Sequence, residues 1–314
     1  MQQQTPAFMV CGEALMDVFA QADTPTGTQL DARIGGSPLN VAIALARLAQ
    51  PVGFFGAVSN GFLGQRLMRA LIDEGVDIRA VARTPAPTTL SLVGLDAAGV
   101  PSYAFYGSGG ADRQLEAAAF ARLPANVRAI HVGSYATVVE PIASTLRTLV
   151  EREKGSALIA FDPNIRLNVE PDRDAWLAQL DWMLPRCHLL KISDEDLALL
   201  FPGRDAEDFA THALARGTTA LVVTRGAQGA SVWSANAVAS VPGVNVNVID
   251  TVGAGDTFQA AMLTRLAETD ALGAPALAGL SAVQWQDVLG FAARAAAITC
   301  SRRGADMPRR GELG

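Results

Sequence analysis

The stretch Val248-Ile249-Asp250-Thr251-Val252-Gly253-Ala254-Gly255-Asp256-Thr257-Phe258 decides how the rest of this 314-residue chain is read. Alternation at Val244, Val246 and Val248 predicts a strand before it, and Gln259 to Leu266 predicts an apolar helix after it. A small-residue turn between strand and helix leaves backbone N–H groups free at the helix N-terminus, where the dipole also favours an anion. Asp256 puts a carboxylate inside that turn, able to take a proton from a hydroxyl. An anion cradle and a base on one turn is what phosphoryl transfer to an alcohol needs. The plainer alternatives are an Asp that caps its helix and a Gly-Ala-Gly turn that only connects two elements. No Gly-x-x-x-x-Gly-Lys-Ser/Thr occurs, and Phe258 stands where a dinucleotide fingerprint needs Gly or Ala.

Outward from this segment, strand-length apolar runs alternate with helical patterns. The runs are Phe8–Cys11, Val52–Val58, Ala129–Val132, Leu158–Phe161, Leu189–Ile192 and Ala220–Thr224. Helices are predicted over Leu39–Ala49, Leu63–Glu74, Pro141–Glu153, Arg173–Met183 and Ala206–Arg216, the last capped by Asp205 with Asp208 in the capping-box position. Continuous apolar strands between helices predict a parallel sheet covered on both faces. The fold class is therefore α/β, an open, doubly wound, Rossmann-like and mainly parallel sheet with ligands at the carboxyl ends of its strands.

Two stretches break the alternation. Asp17–Ile34 and Thr88–Phe105 read as short β segments with no helix between them, the second with a turn at Ala97-Ala98-Gly99. They predict a small separate sheet, discontinuous within about 17–34 and 88–106, on a single 1–314 domain. Such a sheet can cover the site or pair with a second copy, since an exposed apolar ribbon is a partner surface.

Composition narrows the function. Half of the residues are hydrophobic, and 25 basic against 31 acidic residues give a charge of −6. That balance, without a long basic run, disfavours nucleic acid as a partner. Cys11, Cys187 and Cys300 are far apart and in no metal spacing, which predicts reduced thiols. No apolar run reaches the roughly 18 residues of a membrane span, and Met1-Gln2-Gln3-Gln4 has no basic leader character. These features predict a cytoplasmic protein with no membrane partner.

Further clusters fall at strand ends or helix starts. Gly12-Glu13-Ala14-Leu15-Met16-Asp17 offers Asp17 to sugar hydroxyls. In Gly35-Gly36-Ser37-Pro38-Leu39-Asn40 the backbone can approach a polyol closely, and Asn40 adds a donor and an acceptor. Asp162-Pro163-Asn164-Ile165-Arg166 follows a strand, and Thr224-Arg225-Gly226-Ala227-Gln228-Gly229 leaves room for a nucleotide phosphate. Each is also a good plain turn. Their order on one alternating scaffold is the informative feature.

With these motifs in place the chain resembles the carbohydrate kinases of the ribokinase–fructokinase (PfkB) family, from Val10 to Ala305. The family's N-terminal signature falls at Gly35–Ala42 and its C-terminal signature at Asp250–Phe258. The resemblance implies ATP-dependent phosphorylation of a sugar hydroxymethyl group, a ribokinase-like domain and a β-sheet lid. It implies Asp256 as base, with the Gly253, Ala254 and Gly255 amides as anion hole. Asp17, Gly35, Gly36 and Asn40 match the sugar site, and Thr224, Gly226 and Gly229 match the nucleotide loop.

Within the family, Gly-Glu-Ala-Leu-Met-Asp, Gly-Gly-Ser-Pro-Leu-Asn, Thr88-Thr89, Ala111-Asp112 and Asp-Pro-Asn-Ile-Arg resemble the bacterial fructokinase branch. Phe105, Glu140 and Arg166 would then face the sugar, while Arg113 is expected to be solvated. ATP, Mg²⁺ and K⁺ are the implied cofactors, and a homodimer through the lid is the implied assembly. Ser193 is matched to the nucleotide site, Asp196 to Mg²⁺ and Asp250 to a monovalent cation. Three departures stand out. Ser59-Asn60-Gly61-Phe62-Leu63-Gly64 lacks the family's Asp. Ser193-Asp194-Glu195-Asp196 replaces Asn-x-x-Glu. Gly107-Ser108-Gly109-Gly110 stands where longer polar side chains are usual. Two substrate classes remain open beside fructose: a sugar acid such as 2-keto-3-deoxygluconate, and another sugar or a nucleoside. A non-catalytic sugar-binding regulator is the rival of a different class, and Asp256 speaks against it, because a binder needs no base.

Overall fold

The computed structural model describes residues 6–95 and 101–314. In chain order, β1 (Phe8–Cys11) leads into β2 (Leu15–Thr24), β3 (Gly27–Gly35) and helix α1 (Ser37–Arg47). Next come β4 (Val52–Phe55), β5 (Ala57–Ser59), α2 (Phe62–Asp73), β6 (Ala82–Thr84), β7 (Leu90–Leu95) and β8 (Pro101–Tyr106). Strands and helices then alternate through β9 (Ala129–Gly133), α3 (Ile142–Glu153), β10 (Leu158–Asp162) and α4 (Arg173–Met183). The pattern continues with β11 (Leu189–Ser193), α5 (Asp194–Leu200), α6 (Ala206–Ala215) and β12 (Ala220–Thr224). Last are β13 (Ala230–Ser234), β14 (Val238–Val241), α7 (Ala254–Glu268), α8 (Ala274–Ala278) and α9 (Ala282–Cys300).

The large sheet runs β14-β13-β12-β11-β10-β9-β1-β4. It is parallel from β4 to β12, and the edge strands β13 and β14 are antiparallel. Successive side chains of a strand point to opposite faces, so Phe8 and Val10 join the core under α1, α7 and α9 while Met9 and Cys11 join the one under α3, α4 and α6. Burial on both faces is why these strands read as unbroken apolar runs. Cys11 and Cys187 are buried free thiols and Cys300 is half-buried. No helix among the described residues is long and apolar enough to cross a membrane.

The small sheet, β3-β2-β7-β8, stands apart from the large one, as the two irregular β stretches predict. β2 pairs β3 antiparallel and β7 parallel, and β7 pairs β8 antiparallel. The turn expected at Ala97-Ala98-Gly99 lies outside the described residues.

Three local expectations are corrected. The single strand Val52–Val58 is broken at Gly56, where a Cβ would lie 2.4 Å from the Gly12 carbonyl oxygen; β5 leaves the large sheet and pairs with β6. Residues 242–250 form no strand, and Val244 and Val248 are exposed. Here the chain leaves the sheet edge at Pro242-Gly243, and Gly243 presses on the Ala227 backbone, so no partner strand reads the alternation. Asp205 does cap α6, accepting from the Asp208 N–H at 2.8 Å, but the reciprocal side-chain bond of a capping box is absent there.

Candidate active site

Helix α7 begins at Ala254, five residues before the expected start at Gln259. Gly253 precedes it with φ 77°, a conformation that favours glycine. A Cβ there would stand 2.7 Å from the Ala305 Cβ. The Ala254 N–H bonds the Thr251 carbonyl at 3.2 Å. Among the described residues the Gly255 and Asp256 N–H groups have no acceptor, as first-turn donors usually lack one. The Gly253 N–H likewise has no acceptor among the described residues, so of the Gly253, Ala254 and Gly255 trio only the Ala254 N–H is engaged within the protein.

Asp256 is not a helix cap. It lies inside the first turn, buried, and its carboxylate accepts from Ser37 Oγ at 2.6 Å and from Asn40 Nδ2 at 2.9 Å. Burial pushes its pKa above the usual carboxylate value; the two hydrogen bonds and the Lys191 ammonium oppose that shift. Asn40, matched to the sugar site, lines a cavity beside Asp17, and its Nδ2 donates to Asp256. Its Oδ1 has no partner. α1 carries both donors because Gly35-Gly36 lets the chain turn sharply into it. Gly36 has φ 106°, and a Cβ there would be 2.8 Å from the Glu13 carbonyl oxygen.

Beneath this turn lies a buried ion pair that the sequence reading missed. Lys191 Nζ donates to Asp162 Oδ2 at 2.6 Å, with side-chain exposures of 5% and 3%. A Cβ on Gly255 would stand 3.3 Å from the same Nζ, so the ammonium faces the turn. Asp162 Oδ1 has no partner. The available signal was a lysine inside the apolar run Leu189–Ile192, since a strand buried on both faces holds a charge only when it is paired. On the same face of α7, Gln259 Nε2 meets His131 Nδ1 at 3.3 Å.

The small sheet presents a row of side chains to the large one. Register aligns Arg33 with Asp17, Asp17 with Ser91, and Ser91 with Phe105. Burial raises the pKa of Asp17, and its hydrogen bond to Ser91 opposes the shift. A Cβ on Gly35 would fall 2.2 Å from Asp17 Oδ2, so any side chain there would displace the Asp17 carboxylate. Phe105 packs edge-on against Tyr135, with ring centroids 5.5 Å apart. Arg113 is half-buried over Phe105 rather than solvated. Asp112 is buried and accepts from Thr89 Oγ1 and, at 2.8 Å, from the Tyr135 hydroxyl. A cavity lined by Asp17, Phe19, Arg33, Asn40, Val252 and Gly304 lies between this row and the turn that precedes α7.

Glu13 lies behind the Gly36 turn, 1% exposed, and burial pushes its pKa up to about 8. Its carboxyl meets the hydroxyl of Ser134, a non-glycine residue held at φ 55°, ψ −163°. Strain of that kind gathers at functional sites.

The remaining expected residues take these places. Arg166 is exposed and donates from Nη1 to the Ile165 carbonyl at 2.9 Å. Glu140 accepts from the Ser144 N–H at 3.0 Å and from Arg147 at 3.3 Å, a local role at the start of α3. Thr224, Gly226 and Gly229 form the β12–β13 connection. A Cβ on Gly229 would sit 2.0 Å from the Val241 carbonyl oxygen, while Gly226 faces open space. Ser193 caps α5, accepting from the Asp196 N–H at 3.0 Å. Asp196 is buried and accepts from the Ile165 N–H at 3.2 Å; burial, then the Asp162 charge, lift its pKa to about 6. Asp250 accepts from the Gly304 N–H at 2.8 Å and the Val252 N–H at 3.1 Å.

This constellation sits within residues 6–310, the span matched by the model of the pfkB family carbohydrate kinases. The chain belongs to the pfkB carbohydrate kinase family. It is therefore a phosphotransferase acting on a sugar hydroxyl. A fructokinase of Rhizobium leguminosarum bv. trifolii is 36% identical over 258 residues, covering 82% of this chain and 79% of that protein. A crystal structure of the Xylella fastidiosa fructokinase with bound ATP superposes with a TM-score of 0.88 at 28% identity, covering 98% and 97% of the two chains. The Vibrio cholerae O395 fructokinase bound to fructose, ADP and calcium gives a TM-score of 0.79 at 27% identity, covering 98% and 97%. The ribokinase-like pfkB fold, with one large sheet and a smaller separate one, is thus the architecture of this chain.

Proposed function

We propose that this pfkB kinase is an ATP-dependent fructokinase converting D-fructose to D-fructose 6-phosphate. The observation that carries the chemistry is the buried Asp256 carboxylate, held by Ser37 and Asn40 on a turn whose Gly253, Gly255 and Asp256 N–H groups have no acceptor among the described residues. Asp256 takes the proton of the terminal hydroxyl as that oxygen attacks the γ-phosphoryl in line. Charge on the equatorial oxygens of the loose transition state meets the Gly255 and Asp256 N–H groups, the α7 dipole and the Lys191 ammonium. Placing these dipoles beforehand removes the reorganisation that water would require.

Asp17, Gly35, Gly36, Asn40 and Phe105 line the sugar side, and the small sheet acts as a lid that excludes water and suppresses ATP hydrolysis. Arg166 and Glu140 lie further out. Thr224, Gly226 and Gly229 form the nucleotide loop. Hydrated Mg²⁺ suits Asp196 and the unpartnered Asp162 Oδ1, since Mg²⁺ is typically held by one or two carboxylates with water and phosphate oxygens. Bound there, it would neutralise charge on the β- and γ-phosphates. Each Asp250 carboxylate oxygen accepts one backbone N–H and keeps a further lone pair, so a K⁺ at this turn would be held by Asp250 together with backbone carbonyl oxygens. Pairing of two copies through the lid sheet, and a cytoplasmic location suited to three free thiols, complete the reading.

Fructose as substrate rests on the similarity to fructokinases, so a panel assay tests it. ADP release would be followed with fructose, ribose, 2-keto-3-deoxygluconate and a nucleoside. Fructose is expected to give the highest kcat/KM. A tenfold preference for another acceptor would replace fructose and leave the kinase reading standing.

A further inference from the structure

Arg33 is the cation of this row, part-buried, and its free edge faces the cavity that Asp17 and Asn40 also line. Its Nε and Nη2 donate to Asp31 Oδ2 at 2.8 and 2.6 Å, and its guanidinium carbon lies 4.9 Å from the centre of the Phe19 ring. These two supports leave Nη1 without an acceptor among the described residues. That nitrogen points across the cavity to Gly304, standing 3.3 Å from where a Cβ would be, and Gly304 itself has φ 70°. The neighbouring Ala305 is the residue against which Gly253 packs. Arg33 also stands directly opposite Asp17 in the β2–β3 register and shares the cavity with Asn40, the residue that holds Asp256.

An ordinary surface ion pair would account for Asp31 alone, and such pairs contribute little. It would not account for an aromatic platform, a side-chain-free partner across the cleft and a guanidinium edge left open at the same place. Resting on the phosphotransferase reading, we propose that Arg33 is a catalytic residue carried by the lid. On closure its free Nη1 donates to the phosphoryl group moving from ATP to the sugar hydroxyl. Asp31 is a positioning residue that fixes the fork. A guanidinium suits this task because it stays charged and presents planar donors to phosphate oxygens.

The test is steady-state kinetics of Arg33→Gln, Arg33→Lys and Asp31→Asn with fructose and ATP, beside thermal unfolding of each. Arg33→Gln is expected to lower kcat by about 10²-fold with the fructose KM nearly unchanged, the pattern of a contact made only in the transition state. Arg33→Lys keeps the charge and should lie between the two. Asp31→Asn should cost less than Arg33→Gln. In an Arg33→Ala variant, added guanidinium ion should restore part of kcat in a saturable way. Unchanged kcat in folded Arg33→Gln, or a loss confined to the fructose KM, overturns the proposal. If Arg33→Gln does not fold, full kcat in Arg33→Lys without rescue of Arg33→Ala overturns it equally. A wild-type protein with no sugar-dependent ADP release would instead sink the kinase reading.

Discussion

Asn40 Nδ2 donates to Asp256 Oδ2 at 2.9 Å, tying the helix that leaves the Gly35–Gly36 turn to the first turn of α7. With Ser37 on the other oxygen, both lone-pair directions nearest the protein are taken, and the carboxylate has one orientation. Asp256→Asn preserves the size of this group and removes its basicity. Turnover is expected to fall by about 10²–10⁴-fold with sugar binding largely retained. Near-normal turnover in a coupled assay would leave Asp256 a structural residue.

Gly255 faces the Lys191 ammonium with no side chain between them. Gly255→Val would push a branched side chain into that space and displace the amide beside it. A drop in kcat of roughly 10²-fold or more is expected, as for the loss of one oxyanion donor. Full turnover by a folded variant would show that the turn does not touch phosphate.

The Lys191–Asp162 pair is buried on both sides, so removing one charge strands the other. Lys191→Met is expected to lower the unfolding free energy by about 3–5 kcal/mol. Lys191→Met with Asp162→Asn should recover much of that loss while activity stays low. Urea unfolding reads the first effect and the coupled assay the second. A single variant as stable as wild type would mean the pair is hydrated.

Glu13 gives a pH dependence whose sign follows from its raised pKa. The native state holds the proton more tightly than the unfolded chain does. Its contribution to stability is fully present below the ordinary glutamate pKa and is lost as pH rises through about 8. Glu13→Gln keeps a neutral group at the site, so its unfolding temperature should match wild type near the acid end and exceed it above pH 8. Parallel stability curves for the two proteins across that range would refute this account.

What was legible in the sequence is what local chemistry writes there. The Gly-Ala-Gly-Asp turn, the Gly35–Gly36 entry into α1 and the strand–helix alternation each follow from neighbouring residues, and each is found. The small sheet was legible too, because Leu90–Leu95 alternates without a helix beside it. The pairing of Lys191 with Asp162 was not, since 29 residues separate them and only the β10–β11 pairing brings them together. The row Arg33, Asp17, Ser91 and Phe105 exists only once the register is known. Val244, Val246 and Val248 misled because alternation predicts a strand only where a sheet covers one face. Ser193 and Glu140 matched family positions, and their side chains bond to backbone N–H groups at the starts of α5 and α3.

Ser37 and Asn40 reach Asp256 across 219 and 216 positions of chain. Contacts of such separation come late on a folding route, because the loop they close must be ordered before they reward it. A refolding sample of this protein can therefore regain its helical signal while still inert. The return of catalysis, rather than of secondary structure, marks the moment at which its two halves have found each other.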